Sequence, residues 1–433
     1  MKMIRHPQPD QWREYCKRPV FDTREILGKV KPILEAVKSD GDRALRRFTE
    51  RFDGVALDNF VVGEQEIQTA ADRVHEDLKA AIRLARENIR IFHESQRKDE
   101  PVIETSPGVF CWRKAVAIEK VGLYIPGGSA PLFSTLLMLG VPAQLAGCRE
   151  IILCTPPNGQ GEIHPATLFT AHEIGIPRIF KVGGAQAIAA MAYSTETIPA
   201  VDKIFGPGNQ YVTAAKQLIS LDGVAIDLPA GPSEVAVLAD DSADPAFIAA
   251  DLLSQAEHGA DSQVVLISDS EKLLQDVQTS LKKQLPVLPR TAIAQQALQH
   301  ALIVLADSMD QGMDLINAYA PEHLIIQTVN AEELAARVIN AGSVFIGPYT
   351  PESAGDYASG TNHTLPTNGY ARSYSGVSLD SFFRQITFQH ITAGGLQKIG
   401  PVIEVMAAAE ELQAHQQAVS LRLQKIKEEA GNG

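Results

Sequence analysis

Hydrophobic positions change their spacing along the chain, and the changes divide it. Through 23–98, apolar residues recur at helical intervals: Ile26, Val30, Ile33, Leu34 and Val37, then Leu78, Ile82, Leu84 and Ile89. Steps of three and four put them on one helix face. A helical N-terminal region over 23–108 is therefore predicted, with one short strand over 55–62. Ahead of it, Pro7, Pro9 and Pro19 interrupt any long helix, and 1–22 reads as an irregular arm. From Val109 short β-prone runs alternate with helical stretches. Strands are predicted over 116–124, 150–154, 178–182 and 203–205. Helices are predicted from the turn Pro126-Gly127-Gly128-Ser129 through Leu139, then over 165–174, 185–192 and 209–221. Such alternation predicts βαβ units and a parallel sheet.

The alternation then restarts, with strands over 234–238, 263–268, 302–305, 323–327 and 343–346 and helices between them. Two successive units predict an α/β chain of two incomplete, mostly parallel Rossmann-like domains, 109–232 and 233–380, with a ligand cleft at the carboxyl ends of the strands. Past Asp380 the pattern breaks. A C-terminal helical tail over 381–433 is predicted, with one or two amphipathic helices over 403–429.

Length and charge narrow the function classes. At 433 residues the chain exceeds one small core. Its net charge of −13 argues against a nucleic-acid partner, because Lys282-Lys283 and Lys425-Ile426-Lys427 are short and isolated. The four cysteines, Cys16, Cys111, Cys148 and Cys154, form no CxxC pair, so a thiolate zinc site is not expected. They form no disulfide pattern either, which suits a reducing compartment. The opening Met1-Lys2-Met3-Ile4-Arg5 does not read as a signal peptide, and no apolar run is long enough for a membrane. A cytoplasmic protein is expected.

Candidate chemistry sits at the ends of the predicted elements. Asp244 and Pro245 start a helix that Gly259 stops. Gln255 and His258, three apart near its end, offer an oxygen and a nitrogen donor. Glu322 and His323 fall at a helix–strand junction, where a carboxylate and an imidazole can share proton transfer; the dipeptide alone reads more readily as a surface Glu beside a half-buried His. The polar, glycine-bounded stretch Gly355–His363 supplies Asp356 and His363, or else forms an Asx-type turn. On the tail, Glu411 and His415 share a helix face; Glu410 and His415 do so only if the helix breaks. Gln255, His258, Asp356 and His415 together would suit Zn²⁺ or a similar ion. Glycine-rich turns follow strands at Tyr124–Ser129, Val182–Gln186 and Phe205–Tyr211, where a backbone can approach a phosphate or ribose. None is G-x-G-x-x-G.

Taken together, Tyr124-Ile125-Pro126-Gly127-Gly128, Phe205-Gly206-Pro207-Gly208-Asn209, Ile226–Glu234, Ser254–Gly259, Pro321-Glu322-His323-Leu324 and Gly355–His363 closely resemble the histidinol dehydrogenase family, over nearly the whole chain and in order. The resemblance implies a cytoplasmic, zinc-dependent enzyme of the final step of histidine biosynthesis. Such an enzyme oxidises L-histidinol to L-histidine through L-histidinaldehyde and reduces two NAD⁺. It implies Gln255, His258, Asp356 and His415 as ligands of one zinc per subunit, Glu322 as the base that activates water and His323 as its proton-accepting partner. It implies substrate contacts from Ser233, Gln255, His258, His323, Asp356, His363, Glu410 and His415, and NAD contacts from Tyr124, Gln186 and Asn209. It also implies a homodimer in which Glu410 and His415 enter the partner's site. From the residues alone, a metallohydrolase and a non-catalytic amino-acid-binding protein remain open; the former leaves the glycine turns unused, the latter the Glu322–His323 pair.

Overall fold

Two runs, Glu234–Ala239 and Gln263–Ser268, are buried at every position, which requires a sheet covered on both faces. The computed structural model describes residues 2–18, 23–127, 131–229 and 231–431; Gly128 and Ser129 of the first glycine turn, Ala230, and 19–22 of the expected arm lie outside them. The described strands, in chain order, are β1 (Lys2–Arg5), β2 (Ile103–Ser106), β3 (Val109–Ala117), β4 (Lys120–Tyr124), β5 (Glu150–Thr155), β6 (Arg178–Lys181), β7 (Lys203–Phe205), β8 (Ala225–Ile226), β9 (Glu234–Ala239), β10 (Gln263–Ser268), β11 (Leu302–Leu305), β12 (His323–Gln327), β13 (Ser343–Ile346) and β14 (Phe383–Ile391). The chain falls into two compact units, Met1–Gln96 with Ile118–Phe382, and Arg97–Ala117 with Phe383–Gly433.

The larger unit holds two parallel sheets of one topology. Each places its first strand centrally: β6-β5-β4-β7-β8, and β11-β10-β9-β12-β13 with β1 added at the edge beside β11. The predicted pair of Rossmann-like sheets is therefore present. The helices Thr23–Asp40, Asp42–Asp53, Gly184–Tyr193 and Gln210–Leu221 pack Val30, Leu45, Ile188 and Ile219 into one core with Ile152 and Ile204 of the first sheet. Both faces of the second sheet are likewise covered. No helix among the described residues is long and apolar enough to cross a membrane.

Several local expectations are corrected. Residues 2–5 are not irregular: Lys2–Arg5 pairs in register with Leu302–Leu305, completing an edge that would otherwise leave backbone groups unpaired. The run 116–124 is two strands, since β3 ends at Ala117 and β4 starts at Lys120. Over 55–62 no strand forms; Phe60 and Val62 are buried, and a single bridge joins Val61 to Phe180. The first βα helix, Phe133–Ala146, continues past Leu139 and through Pro142 because most of its length is buried.

The smaller unit is an antiparallel sheet, β14-β3-β2, with the helices Ala393–Ala409 and Gln413–Gly431. Trp112 stacks on Phe388 with ring centroids 5.4 Å apart. Helical periodicity dominates this tail, and β14 was not legible in it: the strand is exposed from Arg384 to Ile391, so no face shows a hydrophobic alternation.

A close approach sets one glycine. Gly206, just after β7, has φ +134°, and a Cβ there would lie 2.0 Å from the Tyr124 carbonyl oxygen. Gly206→Ala should lower the unfolding free energy by a strain cost of about 1–3 kcal/mol plus the clash, read as a lower denaturant midpoint. Gly147→Ala, at φ +83° with nothing within 4 Å, should lose less. Equal midpoints for the two variants would contradict the close approach.

Candidate active site

The junction at 320–323 is made by a helix that cannot continue. The helix Met309–Tyr319 closes at Ala320, a non-glycine residue held at φ +56°, and Pro321 follows. Glu322 then enters and His323 opens β12. A Cβ at Gly342 would stand 2.6 Å from the Glu322 carbonyl oxygen, so the approach of β13 requires glycine there. Both side chains are buried, Glu322 at 6% exposure and His323 at 4%, which disposes of the surface alternative.

One residue of the neighbouring strand holds both. The Glu234 N–H donates to Glu322 Oε2 at 2.8 Å, and the Glu234 carbonyl accepts from His323 Nδ1 at 3.1 Å. Burial pushes the Glu322 carboxyl well above the ordinary carboxylate range. Burial pushes His323 down to about 4, so its ring is neutral near pH 7. With the proton on Nδ1, the Nε2 lone pair is left bare; it is buried and has no partner. The 3.6 Å approaches of Nδ1 to Glu322 and Glu352 are therefore not ion pairs.

Asp244 caps the helix Pro245–Ala256 through the Ala246 N–H at 2.7 Å. Gln255, fully buried, lies in its last turn, and His258 lies two residues beyond the end, exposed. With its nitrogen facing its acceptors, the Gln255 amide donates to Glu352 Oε1 at 2.8 Å and to the Glu234 carbonyl at 3.3 Å. That leaves its carbonyl oxygen as the donor atom for a cation. Asp356 sits on a short helix, Glu352–Tyr357, rather than in the loop expected for it. His258, Glu352 and Asp356 place ligand atoms within 4.8 Å of one another, and this mixture of nitrogen and oxygen donors suits Zn²⁺. Glu352 is a residue that sequence reading missed. It is buried, and burial followed by the Asp356 charge holds its carboxyl well above the ordinary range. The signal was available, since Glu352 stands four before Asp356 and so shares its helix face.

His363 donates through Nδ1 to the Asp356 carbonyl at 2.9 Å, leaving Nε2 to accept from the Thr135 hydroxyl at 3.0 Å. Glu410 and His415 belong to the smaller unit. Glu410 closes the helix Ala393–Ala409, Glu411 has φ +58°, and His415 is exposed in the first turn of Gln413–Gly431. The helix break that the Glu410–His415 pairing required is thus present.

Two cavities adjoin this constellation, and a third shares Asn209 with one of them. One of about 540 Å³ is lined by Ser233, His258 and Asn209. A smaller one of about 130 Å³ is lined by Ser233, Glu322 and His363. The largest, about 1020 Å³, is lined by Tyr124, Gln186 and Asn209 and edged by Lys29, Arg47 and Arg51. Tyr124 accepts from the Gly184 N–H at 3.0 Å. Asn209 caps the helix Gln210–Leu221 through the N–H groups of Tyr211 and Val212 and lines two of the cavities. A buried Lys216–Asp227 pair, also missed from sequence, grips the Gly206 peptide: Lys216 donates to its carbonyl at 2.9 Å and Asp227 accepts from its N–H at 2.8 Å.

The expected cleft at carboxyl ends is only half right. Tyr124 and Gly206 lie at or just past the carboxyl ends of β4 and β7, but Glu234 and His323 open β9 and β12 at their amino ends. The cavities span the carboxyl edge of one sheet and the amino edge of the other.

The chain is similar to known proteins over nearly its whole length. The histidinol dehydrogenase family model matches residues 16–423. A histidinol dehydrogenase of Bacteroides thetaiotaomicron is 60% identical over 427 residues, 99% of this chain and 100% of the relative. One of Haemophilus influenzae is 50% identical over 422 residues, covering 97% and 98%. The crystal structure of histidinol dehydrogenase from Elizabethkingia anophelis superposes with a TM-score of 0.97 at 54% identity, covering 99% of each chain. The chain belongs to the histidinol dehydrogenase family, the oxidoreductases of the final step of histidine biosynthesis.

Proposed function

We propose that the enzyme binds Zn²⁺ through Gln255, His258 and Asp356, with His415 of a second copy as fourth ligand. We further propose that it oxidises L-histidinol through the aldehyde to L-histidine, reducing two NAD⁺. The observation that carries this reading is the bare, buried Nε2 of the neutral His323 beside a carboxyl pushed upward by burial. A hydride leaves a carbon only as its hydroxyl loses a proton, so each oxidation needs a base within hydrogen-bond reach. His323 Nε2 takes the proton of the alcohol, and later that of the hydrated aldehyde. An aldehyde carries no hydroxyl, so water must add before the second hydride can leave. Glu322, whose raised affinity for a proton makes it a stronger base than a surface carboxylate, takes the proton of that water. The metal, when bound, holds the substrate's amine and imidazole and carries no electrons.

Tyr124, Gln186 and Asn209 are assigned to NAD, with the cationic edge of their cavity suited to its diphosphate. Ser233, His363 and Glu410 are assigned to substrate. His363 also ties the Asp356 segment to Thr135 through its two ring nitrogens. A homodimer with shared sites is supported by the smaller unit. There Ile386 and Phe388, on one face of β14, and Val402, Val405 and Met406 of the following helix are exposed, apolar side chains that a second copy could cover. The domain limits 23–108, 109–232, 233–380 and 381–433 remain part of this proposal.

Glu322→Gln keeps an oxygen to accept the Glu234 N–H but cannot take a proton. It should slow oxidation of the aldehyde by about 10²–10⁴-fold while sparing oxidation of histidinol more; equal loss in both half-reactions, followed by NADH absorbance, contradicts the assignment. His415→Asn should lower zinc retained after dialysis against a chelator. Wild-type zinc content would remove His415 from the ligand set. Heterodimers of the His415→Asn and Glu322→Gln chains should recover activity through one intact site, and verified heterodimers without recovery exclude a shared site.

A further inference from the structure

The buried ion pair between Arg18 and Glu234 has no part in the chemistry above, yet Glu234 bonds Glu322, His323 and Gln255 through its backbone. Arg18 Nε and Nη2 each donate at 2.9 Å, to Glu234 Oε1 and Oε2 respectively. The two side chains are 7% and 1% exposed. Glu234 Oε1 also accepts the Asn368 N–H at 2.9 Å. Arg18 Nη2 reaches the carbonyl of Ala320 at 3.4 Å, its Nη1 donates to the Cys16 carbonyl at 3.0 Å, and its guanidinium lies 3.6 Å from the centroid of the Tyr319 ring. Arg18 thus holds both segments that frame the dyad: the residue whose peptide groups bond Glu322, His323 and Gln255, and the strained residue two before Glu322.

We propose that Arg18 is a positioning residue for this reaction. Its two-pronged grip on Glu234 and its contact with Ala320 fix the backbone that aims His323 Nε2 and Glu322 at the reacting carbon. The inference rests on the dyad reading above. A planar fork matched to a carboxylate bonds both oxygens of Glu234 at once and, with the Asn368 N–H, fixes its orientation; an ammonium in its place keeps the charge and loses the register. Misplacing a base by an ångström costs far more in turnover than in binding.

The test is R18K, loaded with zinc to wild-type content and compared with E322Q and H323N made alongside. Folded R18K should show kcat reduced about 10–100-fold with an unchanged KM for NAD, which reports the other sheet. A folded R18K with wild-type kcat overturns the proposal. So does a fall in kcat matched by an equal rise in the KM for NAD, the signature of general loosening. If R18K does not fold, the uncharged pair R18M/E234Q decides by the same readings, and failure of both to fold assigns the pair to folding alone and overturns the proposal. Wild-type activity in E322Q and H323N would instead overturn the dyad reading, independently of Arg18.

Discussion

A buried peptide group must find hydrogen-bond partners, because leaving it unpaired in the interior costs about as much as a lost hydrogen bond. At Glu234 this ordinary requirement has become the frame of the site. The N–H of Glu234 is satisfied by Glu322 and its carbonyl by His323, with the Gln255 amide sharing that carbonyl. The candidate base, its imidazole partner and a candidate metal donor are therefore referred to the two peptide groups of one residue. His323 follows from the same bond: tying up Nδ1–H selects the tautomer in which Nε2 is free, and burial keeps the ring neutral.

The two sheets share a topology but use opposite edges. In the first, Gly127 past β4 and Gly184 past β6 line a large cavity together with Lys29, Arg47 and Arg51, an arrangement that suits an anionic ligand. In the second, the first residues of β9 and β12 carry the polar groups. Strand beginnings are well suited to this, because a residue at a sheet edge has its backbone held on one side and its side chain free to face a cavity. The large cavity and the Glu322–His323 dyad are thus built from separate elements, and the smaller cavities between them are lined by Ser233, Asn209 and the Gly206 turn.

Much of this was legible in the sequence, and the exceptions have physical reasons. The parallel strands of both sheets appeared as short apolar runs because they are buried on both faces, and Glu322, His323, Gln255, His258 and Asp356 stood out at element ends. β1 was hidden by the prolines that follow it, and β14 by full exposure, which removes the alternation that marks a strand. The pairings that organise the site, Arg18 with Glu234 and Lys216 with Asp227, join residues 216 and 11 positions apart; the first is too distant for any local pattern, and the second spans a helix end and a two-residue strand. Glu352 was the one omission that helical spacing could have supplied.

The most direct test of the account is the number of NADH formed per histidinol consumed by the zinc-loaded enzyme in excess NAD⁺. Two NADH per histidinol are expected if, as proposed, His323 serves as base for the alcohol and Glu322 for the water that must add to the aldehyde. One NADH, with aldehyde accumulating, would contradict the paired roles of His323 and Glu322 on which the account rests.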